Sequence, residues 1–254
     1  MEKTRDGQNT KIEIYPNFVR TTVCSKPIFN RAREYYTFLD FDDKKSKPKN
    51  MNNVVRDDSI IRAKRKVFDI ALLNSYDYFF TWTLDSSKID RYNVSVIKKK
   101  LIKYLNNMQQ RYNFRCLLIP EFHKDGALHF HGLCSGDLKL VDSGKTTDSG
   151  QVIYNMSQWK LGFSTAIKLY GDYTTICKYI TKYISKDFKK IFGKFYYTCG
   201  QLVREPDKVY TDLEYHLVDC PSYHNEEANC SFKYFTNYAG DSNEEKGFDI
   251  DISL

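Results

Sequence analysis

The stretch Glu121-Phe-His123-Lys-Asp-Gly-Ala-Leu-His129-Phe-His131-Gly-Leu133 leaves this chain few options. Asp125-Gly126 is a hairpin turn signal between two runs of strand character, so Arg115–Phe122 runs up and Ala127–Cys134 runs back. Side chains alternate along a strand, which puts His129 and His131 on one face and Phe130 on the other. With Lys124–Gly126 as the loop, Glu121 faces His129 directly, their Cβ atoms roughly 5 Å apart. Three of the five histidines fall in this segment. Two imidazoles and a carboxylate on rigid strands make a divalent-metal site with open positions; the plainer alternative is the polar outer face of an ordinary hairpin. His123 shares the Glu121 face near the tip, where it is an exposed residue or a spare ligand.

A second constellation lies downstream. The pattern over Asp172–Asp187 predicts a helix capped by Asp172, with Ile176, Ile180 and Ile184 as its apolar stripe. Tyr179 and Tyr183 are four apart and share one face at the edge of that stripe. Each is followed three residues later by a lysine, Lys182 and Lys186, and Lys178 lies beside them. A phenol ionises near pH 10, so a nucleophilic tyrosine needs help, and neighbouring ammonium groups favour the phenolate and attract phosphate. The alternative is a helix that buries two tyrosines and wets a basic face.

Taken together, these motifs resemble those of the HUH-type rolling-circle replication initiators. Phe80-Thr-Trp-Thr-Leu84 resembles the first motif of that family, a threonine-containing hydrophobic strand. His129-Phe-His131 resembles the second, and Glu121 sits where related Rep proteins of single-stranded-DNA viruses carry an acidic metal ligand. Tyr179-Ile-Thr-Lys-Tyr183-Ile-Ser-Lys186 resembles the third motif in its two-tyrosine form. The likeness runs from about Ile60 to Arg204 and is close to phage and plasmid initiators of Gram-positive bacteria. It implies an α+β fold, with a ferredoxin-like, RRM-like central antiparallel sheet, helices on one side, the hairpin central and the tyrosine helix across its face. It also implies a reaction: Mg²⁺ or Mn²⁺ held by His129, His131 and Glu121, attack on a phosphate by Tyr183 or Tyr179, and a 5′-phosphotyrosine with a free 3′-OH. Tyr183 is the favoured first nucleophile, and Lys182 and Lys186 would neutralise the phosphate or steady metal-bound water. The implied partners are single-stranded DNA at an origin hairpin, together with a host helicase and polymerase, in the cytoplasm of a bacterial host cell.

Charge distribution agrees with a DNA-binding role. The net charge is +7 overall, but Ile60–Arg204 carries +13, Met1–Ser59 +3 and Glu205–Leu254 −9. Basic charge thus coincides with the motifs, as phosphate-backbone binding requires. The acidic end reads as a solubilising segment, with partner binding or DNA mimicry as the alternative. Three regions follow: residues 1–59 as an N-terminal strand and loop extension, 60–204 as the endonuclease domain, and 205–254 as an acidic C-terminal extension. Seven cysteines without a CxxC pair exclude a disulfide framework or zinc knuckle and read as reduced packing residues. The polar start is no signal peptide, and no apolar run approaches a membrane span.

Elsewhere, Lys11–Ile14 and Phe18–Cys24 read as strands, and Asp40–Asn53 as a charged linker. Ser59 caps a helix over Ile60–Asn74, with Arg62, Lys64, Arg65 and Lys66 near its start. Tyr76–Leu84 is a strand with Thr81 and Thr83 on one face and Phe80 and Trp82 on the other. Val94–Tyr112 is an amphipathic helix. Val141–Gly150 reads as a loop; its Gly144-Lys145-Thr146 lacks the earlier glycine of a phosphate-binding loop, because Lys139 stands there, so an ATPase is excluded. Gln151–Asn155, Gly162–Leu169, Lys194–Val203 and Tyr210–Val218 read as further strands.

Rival readings keep the same chemistry or drop it. A relaxase usually carries its tyrosine before the histidines, and a single-strand transposase is typically shorter with one tyrosine. An iron oxygenase with two histidines and a carboxylate would not need the tyrosine–lysine repeat. A non-catalytic nucleic-acid-binding module would use the fold alone.

Overall fold

The strands of this chain form two separate sheets. In the computed structural model, which describes residues 7–28, 57–184, 191–213, 223–225 and 230–238, one unit draws on both ends of the chain. The other unit comprises residues 52–205. In chain order the elements begin with β1 (Gln8–Ile14), β2 (Phe18–Ile28), α1 (Asp57–Leu73), β3 (Tyr78–Thr83) and α2 (Val94–Tyr112). Then come β4 (Arg115–Phe122), β5 (Leu128–Ser135), β6 (Leu140–Thr146), β7 (Val152–Met156) and β8 (Ser164–Lys168). The last are α3 (Tyr173–Thr181), β9 (Tyr197–Cys199), β10 (Asp207–Thr211), β11 (Tyr223–Asn225) and β12 (Cys230–Tyr238).

In the terminal unit the strand order is β10-β1-β2-β12-β11, antiparallel throughout. The segments read from sequence as two separate extensions therefore share one sheet, and the acidic end supplies three of its five strands. Residues 214–218 of the expected strand Tyr210–Val218 lie outside the described residues, as does His216. Burying a charge is costly unless it is paired, and Arg20 meets that condition. Its Nε donates to Glu13 Oε2 at 2.9 Å, and its guanidinium also donates to the Tyr15 hydroxyl.

The motif-bearing unit is a seven-stranded antiparallel sheet, β6-β7-β8-β3-β5-β4-β9. β3 lies inside it, between β5 and β8. Its sequence, Tyr-Phe-Phe-Thr-Trp-Thr, is apolar on both faces, as expected of a strand covered on both sides. α2 buries Ile97, Leu101, Leu105 and Met108, and its Tyr104 meets Trp82 edge-on at 5.3 Å. On the opposite face, Tyr179 of α3 meets Phe79 at 5.7 Å. α3 packs on α1 through Tyr173, whose hydroxyl donates toward the carbonyls of Asn74 (2.7 Å) and Ala71 (3.0 Å). Helices thus cover both faces, where helices on one side were expected. The reason is that β3 exposes bulky residues in both directions.

Other differences are local. Leu140–Thr146 is a strand rather than a loop, paired with β7 across a bulge between Asp142 and Lys145. α1 is already helical at Asp57, so Ser59 lies within its first turn and does not cap it. β9 is three residues long, not ten. Five cysteines (24, 116, 134, 177 and 199) are buried and free among the described residues.

Candidate functional site

The hairpin is positioned by its turn. Gly126, at φ +82°, donates to His123 O at 2.8 Å, and His123 N–H donates to Ala127 O at 2.8 Å. A left-handed backbone of this kind favours glycine. The resulting register pairs Glu121 with His129, Thr83 with His129, and Thr81 with His131. Both histidines therefore lie on the Thr81/Thr83 face, opposite Phe130. Gly132 completes the motif, because a Cβ there would collide with the Leu117 carbonyl and the Phe80 ring.

His131 is held at both ring nitrogens. Nδ1 lies 3.1 Å from Thr81 Oγ1, and Nε2 lies 3.0 Å from Glu121 Oε2. Its side chain is only 13% exposed, and burial pulls its pKa down to about 4, so the ring is neutral at pH 7. His129 is also lowered by burial and by nearby His123. Burial raises Glu121 in turn, because the carboxylate loses water. Neutral imidazoles are the form that binds metals.

Tyr183 closes the face from above. Its ring stacks on His131 with centroids 4.0 Å apart and planes 17° apart. Its hydroxyl lies 3.0 Å from that of Tyr179, and Phe79 packs against both rings. Burial, followed by the hydrogen bond with Tyr179, pushes the Tyr183 phenol well above its ordinary pKa. Tyr179 is 45% exposed, and Lys182 Nζ sits 5.6 Å from its ring centroid. The helix expected over Asp172–Asp187 stops at Thr181, with Asp172 as its cap. Beyond it, Lys182, Tyr183 and Ile184 donate to the carbonyls three residues back, a tightened turn that carries Tyr183 toward the hairpin. Lys186 lies outside the described residues.

The two tyrosines and His131–Glu121 are thus brought together, whereas His129 is adjacent without joining the contact. Its ring stacks on His123 at 4.7 Å, and His123 Nδ1 lies 3.2 Å from Asp125 Oδ1. Among the described residues, no three His, Cys, Asp or Glu side chains converge as a ready-made metal cluster. The donor set still suits a divalent cation: His131 Nε2 already faces a carboxylate oxygen, and Glu121 and His129 are directly paired. Sequence reasoning missed Phe79, which shares its strand face with Thr81, and missed the Thr81–His131 contact. The alternation of β3 carried the signal for both.

Residues 77–188 match a family model of replication-associated proteins, the ORF2 family. That span opens just before β3, contains the hairpin and runs past Tyr183. No curated protein and no solved structure matches the chain. Over the matched span the chain is similar to replication-associated proteins, which supports a role in initiating replication and an interaction with DNA.

Proposed function

We propose that this chain initiates rolling-circle replication by cutting one DNA strand at a specific site and later rejoining it. The endonuclease activity belongs to residues 60–204, read as an HUH-type fold. The observation that carries the reading is the stack of Tyr183 on His131, with the Tyr179 hydroxyl 3.0 Å from that of Tyr183. Two phenols beside an imidazole–carboxylate pair are what a two-tyrosine strand transfer needs. The match to replication-associated proteins supports the same reading.

In this mechanism the Tyr183 oxygen attacks phosphorus. The bond from phosphorus to the 3′ oxygen breaks, leaving a 5′-phosphotyrosine and a 3′-OH that primes synthesis. The phenol proton leaves through the Tyr179 hydroxyl to water, and the departing 3′ oxygen takes up a proton. Tyr179, or the 3′-OH, serves in the second transfer that rejoins the strand. Lys182 offsets phosphate charge, and Lys186 is assigned the same task. His129, His131 and Glu121 would hold Mg²⁺ or Mn²⁺, which when bound supplies Lewis-acid polarisation of the scissile phosphate. Such help is needed because burial raises the Tyr183 phenol rather than lowering it. The substrate is single-stranded DNA at an origin hairpin, in the cytoplasm of a bacterial host, with helicase and polymerase supplied by that host.

A labelled single-stranded origin oligonucleotide with Mn²⁺ tests this. Wild-type protein should cut it, and the Tyr179→Phe/Tyr183→Phe double variant should be slower by at least about a thousandfold. Cleavage that survives in the double variant ends the nucleophile assignment. Wild-type protein that binds the strand but never cuts it favours a non-catalytic binding module.

A further inference from the structure

The two histidines of the motif are held by unlike neighbours. Each faces a threonine of β3, His131 opposite Thr81 and His129 opposite Thr83. Only Thr81 turns its hydroxyl to its histidine, 3.1 Å from Nδ1. Thr83 Oγ1 instead donates to the Phe163 carbonyl at 3.4 Å. The other nitrogen of His131, Nε2, is 3.0 Å from Glu121 Oε2.

A neutral imidazole carries one proton on its two nitrogens. An ionised carboxylate only accepts, so without a cation Nε2–H donates to Glu121 and Nδ1 must accept from Thr81. When Nε2 becomes a ligand it needs a bare lone pair. The ring then releases the Nε2 proton to water and gains one from water at Nδ1, staying neutral overall. Nδ1–H now needs an acceptor. A hydroxyl can donate in the first state and accept in the second, simply by rotating its hydrogen. A backbone carbonyl or a carboxylate would serve only the second.

We propose that Thr81 is a positioning residue whose hydroxyl sets the tautomer of His131 and lets that tautomer switch when a divalent cation binds. The proposal rests on His131 being a metal ligand, as read above. A partner of this kind fixes ring orientation and ligand basicity, and its loss typically weakens metal binding 10–100-fold. Cross-strand pairing with His131 and a stiff β-branched χ1 hold the hydroxyl in place.

The test uses the full chain labelled with ¹⁵N-histidine, its ring nitrogens read by long-range ¹H–¹⁵N NMR, with Zn²⁺ as a diamagnetic probe. Wild-type His131 should be the Nε2–H tautomer without metal and the Nδ1–H tautomer with Zn²⁺. Thr81→Val should show mixed tautomers and an Mn²⁺ Kd raised about tenfold, and Thr81→Ser should return both to within about twofold of wild type. A metal-free wild type in the Nδ1–H form overturns the proposal, and this result needs no variant to fold. An unchanged tautomer and Kd in Thr81→Val also overturn it. The metal-free tautomer is read without DNA, so failure of strand cutting is told apart from failure of the tautomer assignment.

Discussion

β3 and β5 present two opposite faces made by the same few residues. Phe80, Trp82 and Phe130 point one way and are fully buried under α2. Thr81, Thr83, His129 and His131 point the other way and are only half-buried, beneath the end of α3. The first face is packing: Trp82 lies 4.5 Å from Trp159 in a stack and 5.3 Å from Tyr104 edge-on. The second is a set of polar contacts on a rigid base. The difference teaches that the reactive groups are precise because the reverse side of their own strands is immobile. Strand alternation delivers both at once.

Substitutions on the two faces should separate stability from chemistry. Trp82→Ala should destabilise the motif-bearing unit by about 3–5 kcal/mol, read by urea unfolding, because it empties a close-packed site. A loss below about 1 kcal/mol would mean that this face is not what holds the strands.

Next in size is an acid effect confined to the histidine face. Below about pH 6.5 the unfolded chain protonates His131, whereas the folded one holds it neutral down to about pH 4. Stability in metal-free protein is thus full above pH 6.5 and falls by about 3 kcal/mol as pH drops to 4. Glu121 works in the opposite sense, since its raised pKa makes the fold gain as pH falls. His131→Gln should remove the acid loss, and a pH–stability curve that this variant leaves unchanged would refute the assignment.

Smaller again are effects on cation binding. His131→Ala and His129→Ala should each raise the Mn²⁺ Kd at least about tenfold while unfolding within about 1 kcal/mol of wild type. The smallest effect is expected for Thr83→Val, below about 0.5 kcal/mol, because its hydroxyl makes only a long bond to an exposed carbonyl. Calorimetry on the three variants sharpens the contrast between the faces.

Much of this site was legible in the sequence because hairpin chemistry is local. Asp125-Gly126 fixed the turn, and the turn fixed Glu121 opposite His129. The amphipathic pattern located α2 to the residue, Val94–Tyr112. What local patterns missed depends on distant partners. β6 is polar and largely exposed, so its strand character comes from β7 and a bulge rather than from its own residues. The acidic end pairs with β1 and β2, partners some two hundred positions away. α3 stops at Thr181 although its repeat continues, because the tight turn that follows brings Tyr183 onto His131. Helical periodicity alone has no way to register that contact.

The most direct measurement of the central claim is the mapping of a covalent protein–DNA adduct. Wild-type protein is incubated with single-stranded origin DNA and Mn²⁺, digested, and read by mass spectrometry. A nucleotide should be found on Tyr183, moving to Tyr179 in the Tyr183→Phe variant. A strand cut with no tyrosine-linked nucleotide, or an adduct at a residue away from the hairpin face, would contradict it.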